Sequence, residues 1–148
     1  MASHKPFDLE DRLIEFAVKV INMAESLPIT FAGKHLGGQI VRSCSSPALH
    51  YGEAQSAESK NDFIHKMKVC TKELKETFSC LKLINKLSWI SDGELISLLD
   101  ENNQLISIFV KSIETAKRNA PKELKNKELK NRGMENKEPG NEEQGTEE

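Results

Sequence analysis

Aromatic side chains are scarce in this chain: Phe, Trp and Tyr together make up 5% of its 148 residues. Packed sheets favour aromatic and β-branched residues, so this scarcity argues against a β-sandwich or barrel. The hydrophobic content of 37% can fill one modest core, which must be mostly aliphatic. Together with 30% charged residues and a length typical of one domain, the composition favours an all-α helical bundle.

Long apolar runs and paired cysteines are also missing. No apolar stretch approaches the roughly 20 residues that a bilayer-spanning helix needs. The amino-terminal residues Met1–Asp8 are mostly polar and do not resemble a signal peptide. Cys44, Cys70 and Cys80 form no Cys-x-x-Cys pair, so we interpret them as reduced core residues. We therefore expect a cytoplasmic protein without membrane contact.

The charge of the chain is unevenly distributed. Residues 120–148 contain six Lys or Arg and eight Asp or Glu, and the formal charge of the whole chain is −2, so residues 1–119 are neutral. A neutral body gives no overall attraction to nucleic acid. The segment 120–148 repeats Lys-Glu-Leu-Lys-Asn and has no apolar side chain beyond Met134 except prolyl rings. We predict that it is a disordered tail, since it cannot bury enough surface to offset its ordering entropy.

Apolar spacing predicts four helices within residues 1–119. The predicted ranges are about Asp8–Ser26, Lys34 or Leu36 to the junction at Ala57, Lys60–Ser88, and Leu95–Asn119. Phe31–Gly33 is predicted to be a connector, and the second helix is predicted to continue through Pro47 with a kink. Asp8 and Ser59 are the expected amino-terminal caps of the first and third helices. Short connections between four amphipathic helices predict an up-down-up-down bundle.

The third predicted helix has three distinct sides when its residues are placed at about 100° intervals. Its predicted buried seam is Met67, Cys70, Leu74, Thr77, Leu81 and Ile84. A second side carries lysines, namely Lys68, Lys72, Lys75, Lys82 and Lys86. A third side carries the acids Asp62, Glu73 and Glu76. Val69, Leu83 and Leu87 point outward between lysines and acids, where a lone bundle would place polar residues.

Three interpretations of these outer sides stay open. The simplest is a solvated surface with scattered apolar residues, which is normal for proteins. The second is an oligomer interface formed by Val69, Leu83 and Leu87 with Glu73 and Glu76, in which oppositely charged flanks suit a head-to-tail contact. The third is a phosphate contact by the five lysines, although no aromatic residues lie between them for base stacking.

No catalytic or metal site is predicted. His50-x-x-Glu53 and Asp62-x-x-His65 place carboxylates and histidines on shared helix faces, as in di-iron bundles, but no inward glutamate is expected on the fourth helix. The serines from Ser43 to Ser46 lie in a helix without an oxyanion hole, and no phosphate-binding glycine loop is present. We therefore expect no enzyme activity, no cofactor and no metal.

A set of motifs with a defined order resembles one family. The motifs are Gln39-x-x-Arg42-Ser43-x-x-Ser46, Tyr51-Gly52-Glu53-Ala54, Ser59-x-x-Asp62-Phe63, and Glu73-Leu74-x-Glu76-Thr77 with Leu81. Together they resemble the small bacterial four-helix bundles related to proteins encoded in 23S rRNA intervening sequences. The match extends from about Leu9 to Ala116. His50–Ala54 stands where the family has Asn-Ile-x-Glu-Gly, so the glutamate is kept and the asparagine is not.

The resemblance implies a left-handed up-down bundle that assembles as a cyclic pentamer. Relatives include accessory proteins of diversity-generating retroelements, whose ring is thought to engage a reverse transcriptase and nucleic acid through a basic surface. Two functions follow from it. One is a non-enzymatic oligomeric scaffold or adaptor for a protein partner. The alternative is an RNA- or DNA-binding accessory subunit of a ribonucleoprotein or reverse-transcriptase complex.

The motif residues also suggest a structural role. We predict that Arg42, Ser46, Glu53, Ser59 and Asp62 form a polar network. In it, Glu53 near the end of the second helix and Asp62 at the start of the third satisfy unpaired amides and pair with Arg42 or with nearby lysines.

Overall fold

Four α-helices and their connections make up residues 8–119, the part of the chain that the computed structural model describes. The helices are α1 (Leu9–Glu25), α2 (Phe31–Gln55), α3 (Lys60–Leu87) and α4 (Asp92–Arg118). No strand occurs within residues 8–119, so the predicted all-α, four-helix class is confirmed. The left-handed twist implied by the resemblance stays a prediction. The predicted disorder of residues 120–148 lies outside the described residues.

Side-chain contacts show that α2 and α3 run antiparallel. Cys80 Sγ donates to the carbonyl of Leu36 at 3.8 Å, and Thr77 Oγ1 donates to Ser43 Oγ at 2.8 Å. Residue numbers rise along α2 as they fall along α3, which is the relationship expected for neighbours joined by a short connection. The start of α2 therefore lies level with the last turns of α3.

The remaining contacts close the bundle. Cys44 Sγ on α2 lies 3.9 Å from the carbonyl oxygen of Ala17 on α1. On the other side of α1, the Arg12 guanidinium forms an ion pair with Glu101 on α4, with 2.6 Å between Nε and Oε1. Because α1 contacts both α2 and α4, the four helices surround a single core.

Both predicted amino-terminal caps are present. Asp8 accepts hydrogen bonds from the amides of Glu10 at 3.0 Å and Asp11 at 3.3 Å. Ser59 accepts a bond from the amide of Asp62 at 3.1 Å. These side chains satisfy amides that have no partner within the first helical turn, so they fix where α1 and α3 begin.

The second helix starts earlier than predicted. Phe31–Gly33 forms the first turn of α2 and is not a connector, because Thr30 caps the helix by accepting from the amide of Gly33 at 3.1 Å. Phe31 is 90% exposed, so it adds nothing to the apolar periodicity from which a helix is recognised. Gly33 is buried, and a Cβ atom there would lie in severe overlap with the carbonyl of Pro28. Glycine at this position permits close approach of the chain and does not mark a loop.

Pro47 lies inside α2, which continues to Gln55 as one helix. Continuation through Pro47 is thus confirmed, whereas the kink stays a prediction. The ring is buried, and the core contact offsets part of the cost of the missing amide donor.

The core is aliphatic, as the composition predicts. Every residue of the predicted α3 seam is buried, which confirms that seam. The largest fully buried side chains from the other helices are Phe16, Leu13, Met23, Val20, Ile40, Phe109, Leu95 and Leu105. Tyr51 from α2 is one of the few aromatic contributors, and its ring meets that of Phe109 edge-on with 5.8 Å between centroids.

Asn102 on α4 is a polar residue at the centre of this core, with no exposed surface. With its amide oriented so that both groups are satisfied, nitrogen toward Leu74 and oxygen toward Phe78, the side chain donates to the carbonyl of Leu74 at 3.1 Å and accepts from the amide of Phe78 at 2.9 Å. Leu74 and Phe78 are four residues apart, so their two backbone groups belong to one rung of the α3 helical ladder. Asn102 can make both bonds at only one position along α3, so it fixes the axial register of α4 against α3.

Replacing this amide tests the register contact. Asn102→Ala removes two buried hydrogen bonds and leaves a small cavity, so we expect the free energy of unfolding to fall by about 2 kcal/mol. Chemical denaturation monitored by circular dichroism measures the change. Asn103→Ala is the matched control, since Asn103 is exposed and should alter stability by less than about 0.5 kcal/mol. Equal effects of the two variants would contradict the role given to Asn102.

Replacing two glycines of α2 by alanine should change the stability of the fold in opposite directions. At Gly33 the added Cβ overlaps the Pro28 carbonyl, so Gly33→Ala should destabilise the fold by about 1–3 kcal/mol. Gly38 has no atom within 4 Å of an added Cβ, so Gly38→Ala should stabilise it by roughly 0.5–1 kcal/mol through helix propensity. Thermal melts of both variants check the prediction, and stabilisation by Gly33→Ala would overturn the close approach described above.

Candidate functional site

A set of outward residues on α3 mixes exposed apolar side chains with two acids that pair with Arg42 of α2. We call it the α2-side face, and its residues are Val69, Glu73, Glu76, Leu83 and Leu87. Val69 is 41% exposed, Leu83 55% and Leu87 44%. These three side chains are therefore not covered by their own bundle, as the helical wheel predicted. Each of these side chains would gain free energy if another surface covered it.

Both acids of this face pair with one arginine of the neighbouring helix. Arg42 on α2 donates from Nη1 to Glu73 at 3.0 Å and from Nη2 to Glu76 at 2.5 Å. The hydrogen bond from Arg42 lowers the pKa of the Glu76 carboxyl. The sequence placed these acids on a side of α3 separate from the lysines but did not pair Glu73 or Glu76 with Arg42, because the wheel of α3 alone does not include the neighbouring α2. The face presents apolar side chains and a cluster of one arginine and two glutamates, which keeps one net negative charge.

The predicted polar network does not form as one cluster. Arg42 turns toward α3 instead of toward Glu53, which is exposed. The two residues are eleven positions apart on the same helix, about 16 Å along its axis, which is beyond the reach of their side chains. Ser46 Oγ is 3.1 Å from His50 Nδ1 on the next turn, a local contact within α2.

Ser59 and Asp62 form a separate group at the start of α3. Besides the cap from Ser59, the Asp62 carboxylate accepts from the amide of Glu58 at 3.4 Å and from Lys66 Nζ at 3.0 Å. The hydrogen bond from Lys66 lowers the pKa of Asp62. The predicted capping role of Asp62 therefore agrees with the structure, with Lys66 as its cation in place of Arg42.

A groove of about 470 Å³ lies between α3 and α4, on the other flank of α3. We call it the lysine groove. It is lined by Lys68, Thr71, Lys72 and Lys75 of α3 and by Val110, Ile113, Glu114 and Lys117 of α4. Thr71 and Ile113 are buried and form its floor, whereas the lysines are exposed at its rim. The groove thus combines an apolar floor with four cations and one carboxylate.

The five predicted lysines divide into two groups. Lys68, Lys72 and Lys75 line the groove, whereas Lys82 and Lys86 are not part of its lining. Lys82 lies seven residues beyond Lys75, about 10 Å further along the helix. Its Nζ is 5.1 Å from the centroid of the Phe78 ring, a cation–π contact. A single continuous lysine surface is therefore not what the structure presents.

The α4 wall of the groove was not identified from the sequence. Val110, Ile113, Glu114 and Lys117 repeat at helical spacing, which is a detectable signal. Their relation to the lysines of α3 depends on which helices are neighbours and at what register. That information is not contained in the periodicity of either helix.

The described residues offer little for catalysis. Burial raises the pKa of Cys44 to about 12 and that of Cys70 to about 11, and it also raises the pKa of Cys80. The thiols are thus protonated at neutral pH and are poor nucleophiles and ligands. Within residues 8–119, no three His, Cys, Asp or Glu side chains lie close enough to hold a metal ion together. None of the four helices combines the length and the apolarity that a membrane span requires.

Comparison with known proteins gives a family and a structural neighbour. The family model described as 23S rRNA-intervening sequence protein matches residues 7–127. A crystal structure of a protein with unknown function from the S23 ribosomal protein family of Bacteroides thetaiotaomicron is similar, with a TM-score of 0.67 and 27% sequence identity. The similarity covers 72% of this chain and 98% of that one. No curated protein matches the chain.

The family model spans all four helices, and the solved structure shares their arrangement over nearly its whole length. The chain belongs to the 23S rRNA-intervening sequence protein family.

Proposed function

We propose that this protein is a non-enzymatic scaffold or adaptor subunit that assembles with itself into a closed ring and binds a protein partner. The observation that carries the proposal is the α2-side face, on which Val69, Leu83 and Leu87 are 41–55% exposed along one stripe of α3. Five subunits is the ring size that the family resemblance implies. Catalysis has no comparable support, because the thiols are buried and no cluster of metal-ligating side chains occurs in residues 8–119.

The free energy of association would come mainly from apolar burial. Covering a half-exposed Leu or Val side chain contributes about 1 kcal/mol. A specific interface buries roughly 800 Å² per partner, so Val69, Leu83 and Leu87 would form only part of the surface that a neighbouring subunit covers.

The ion cluster is partly compensated within the chain. Since one arginine, Arg42, pairs with both Glu73 and Glu76, each carboxylate has a partner but the cluster keeps one net negative charge, which a cation of a second subunit would offset. Covering the cluster therefore does not bury an unpaired carboxylate, which would cost several kcal/mol. A neighbouring subunit can therefore cover the cluster together with the apolar residues on either side of it.

The nucleic-acid alternative has weaker support. The described lysines that lie together are Lys68, Lys72 and Lys75 with Lys117, and they surround a partly apolar groove that also contains Glu114. Phosphate backbones are attracted by cations alone and gain nothing from an apolar floor. We therefore give preference to the scaffold and treat nucleic acid as an outcome to be tested below.

Leu83→Glu tests the interface. A carboxylate at the centre of the apolar stripe should weaken assembly at least tenfold, since it would be desolvated without a partner. Light scattering coupled to size exclusion, at micromolar concentration, should give a multiple of the subunit mass for the wild type and a lower mass for the variant.

Ile96→Glu is the matched control for this experiment. Ile96 is 62% exposed on α4, outside the proposed interface, so its variant should keep the wild-type mass. A monomeric wild type, or equal loss of mass in both variants, would show that the α2-side face is not the interface.

Arg42→Ala tests whether the acids of the face pair with an arginine of their own chain. Losing the Arg42 hydrogen bond should raise the pKa of Glu76 toward its usual range, as measured by NMR titration of its carboxyl carbon. A lowered folded-state pKa stabilises the fold above the unfolded pKa and loses this effect as pH falls through the folded value. The difference in melting temperature between wild type and variant should therefore be small at neutral pH and vanish in acid.

Arg12→Ala is the control for that titration, because Arg12 pairs with Glu101 elsewhere in the bundle. It should leave the Glu76 titration unchanged. If Arg42→Ala also left the pKa of Glu76 unchanged, the ion cluster would not exist in solution.

A further inference from the structure

We propose that the lysine groove between α3 and α4 is the docking site for an acidic amphipathic α-helix of a partner protein. The inference rests on the adaptor role proposed above and names the chemistry of the partner. It does not depend on the α2-side face, none of whose residues lines the groove.

The cationic wall matches the spacing of acids on a helix. Lys68, Lys72 and Lys75 occupy positions i, i+4 and i+7, so they follow one another at about 6 and 4.5 Å along the axis. In the described part of the chain, none of these lysines forms an ion pair, and neither does Lys117 across the groove. A helix with glutamates at the same spacing along its flank would meet all three lysines.

The floor of the groove requires an apolar ligand surface. Thr71 is 7% exposed and Ile113 8%, and Val110 is at the upper edge with 36% exposed. A ligand that carried charge alone would desolvate this floor without replacing the lost water by favourable contacts. An amphipathic helix places leucine-like side chains on the floor while its acidic flank meets the lysines at the rim.

The shape of the groove also suits a helix. A cleft between two neighbouring helices accepts the side-chain ridge of a third, which is the mode of packing used when amphipathic helices bind in grooves. A volume of about 470 Å³ can take up the row of side chains on one face of such a helix and leaves its backbone outside.

The same features disfavour nucleic acid as the occupant. No aromatic side chain lines the groove for base stacking, and Glu114 would repel phosphate. For an acidic helix, the position of Glu114 sets orientation, because it excludes a carboxylate from one place on the α4 side. The groove therefore discriminates between ligands of equal negative charge according to their apolar content.

A designed peptide provides the probe. We would use a helical peptide of about 18 residues, or five turns, with leucines on one face and glutamates on both flanks. A scrambled peptide of the same composition lacks the amphipathic face. Fluorescence anisotropy on the full chain should detect binding of the amphipathic peptide and at least tenfold weaker binding of the scrambled peptide. Equal binding of both peptides would overturn the proposal, since it would show attraction by charge alone.

Variants locate the peptide. Lys72→Glu and Val110→Asn should each weaken binding of the amphipathic peptide at least fivefold. The first replaces a cation at the rim by an acid, and the second removes apolar surface from the groove lining. Lys86→Glu makes the same charge change on α3 outside the groove and should keep the wild-type affinity within about twofold. Circular dichroism melts confirm that each variant is folded. If the Lys72 and Lys86 variants had the same effect, the groove would not be the site.

Single-stranded oligouridylate of about 20 nucleotides is the competing probe, measured over a range of salt concentrations. RNA binding that depends on Lys72 but not on Val110, without peptide binding, would overturn the proposal in favour of the nucleic-acid alternative. If neither the peptide nor the RNA bound at low salt, the proposal would be overturned as well. Light scattering on the same samples separates this inference from ring assembly, because lost peptide binding with unchanged oligomer mass rejects the groove alone.

Discussion

Burial of the apolar seam of α3, from Met67 to Ile84, is the interaction on which the rest of the structure depends. Every position of that seam is packed against the other helices. Once it is buried, α3 cannot rotate without exposing leucine and methionine side chains to water, at a cost of about 1.5–3 kcal/mol for each. The rotation of the helix is thereby fixed, and it determines which residues face α2, which face α4 and which face outward.

Buried polar groups add a constraint that apolar packing does not supply. Aliphatic side chains slide past each other at modest cost, whereas a buried hydrogen bond has one correct partner. Thr77 on α3 bonds to Ser43 on α2 at 2.8 Å, and Asn102 on α4 bonds to the α3 backbone between Leu74 and Phe78. These contacts fix the axial position of α3 relative to α2 and α4. They therefore determine which side chains lie together on each outer flank of α3.

The two flanks of α3 offer different chemistry. Toward α2, exposed apolar residues accompany a cluster of one arginine and two glutamates. Toward α4, the lysine groove holds cations that form no ion pair in the described residues above an apolar floor. The proposed scaffold would use the first surface for its own assembly and the second for its partner.

Local rules determined much of this protein from the sequence alone. Helix periodicity placed the α3 seam and the outward Val69, Leu83 and Leu87, and capping chemistry placed the starts of α1 and α3 at Asp8 and Ser59. These signals come from residues within one or two turns of each other, where backbone geometry has few alternatives. The first turn of α2 was missed because Phe31 faces solvent and because a glycine can serve either a loop or a close helix contact.

Tertiary structure alone decided the pairings between helices. From sequence, Arg42 was expected to pair with Glu53 or Asp62, and the lysines of α3 were expected to form one surface. In the folded chain Arg42 pairs with Glu73 and Glu76, and α4 closes the groove. The periodicity of a helix indicates which of its residues share a side. It does not indicate which neighbouring helix packs against that side, or at what axial register. The choice of neighbouring helix and the axial register are fixed only when the apolar seams of all four helices are buried together, which depends on the whole bundle.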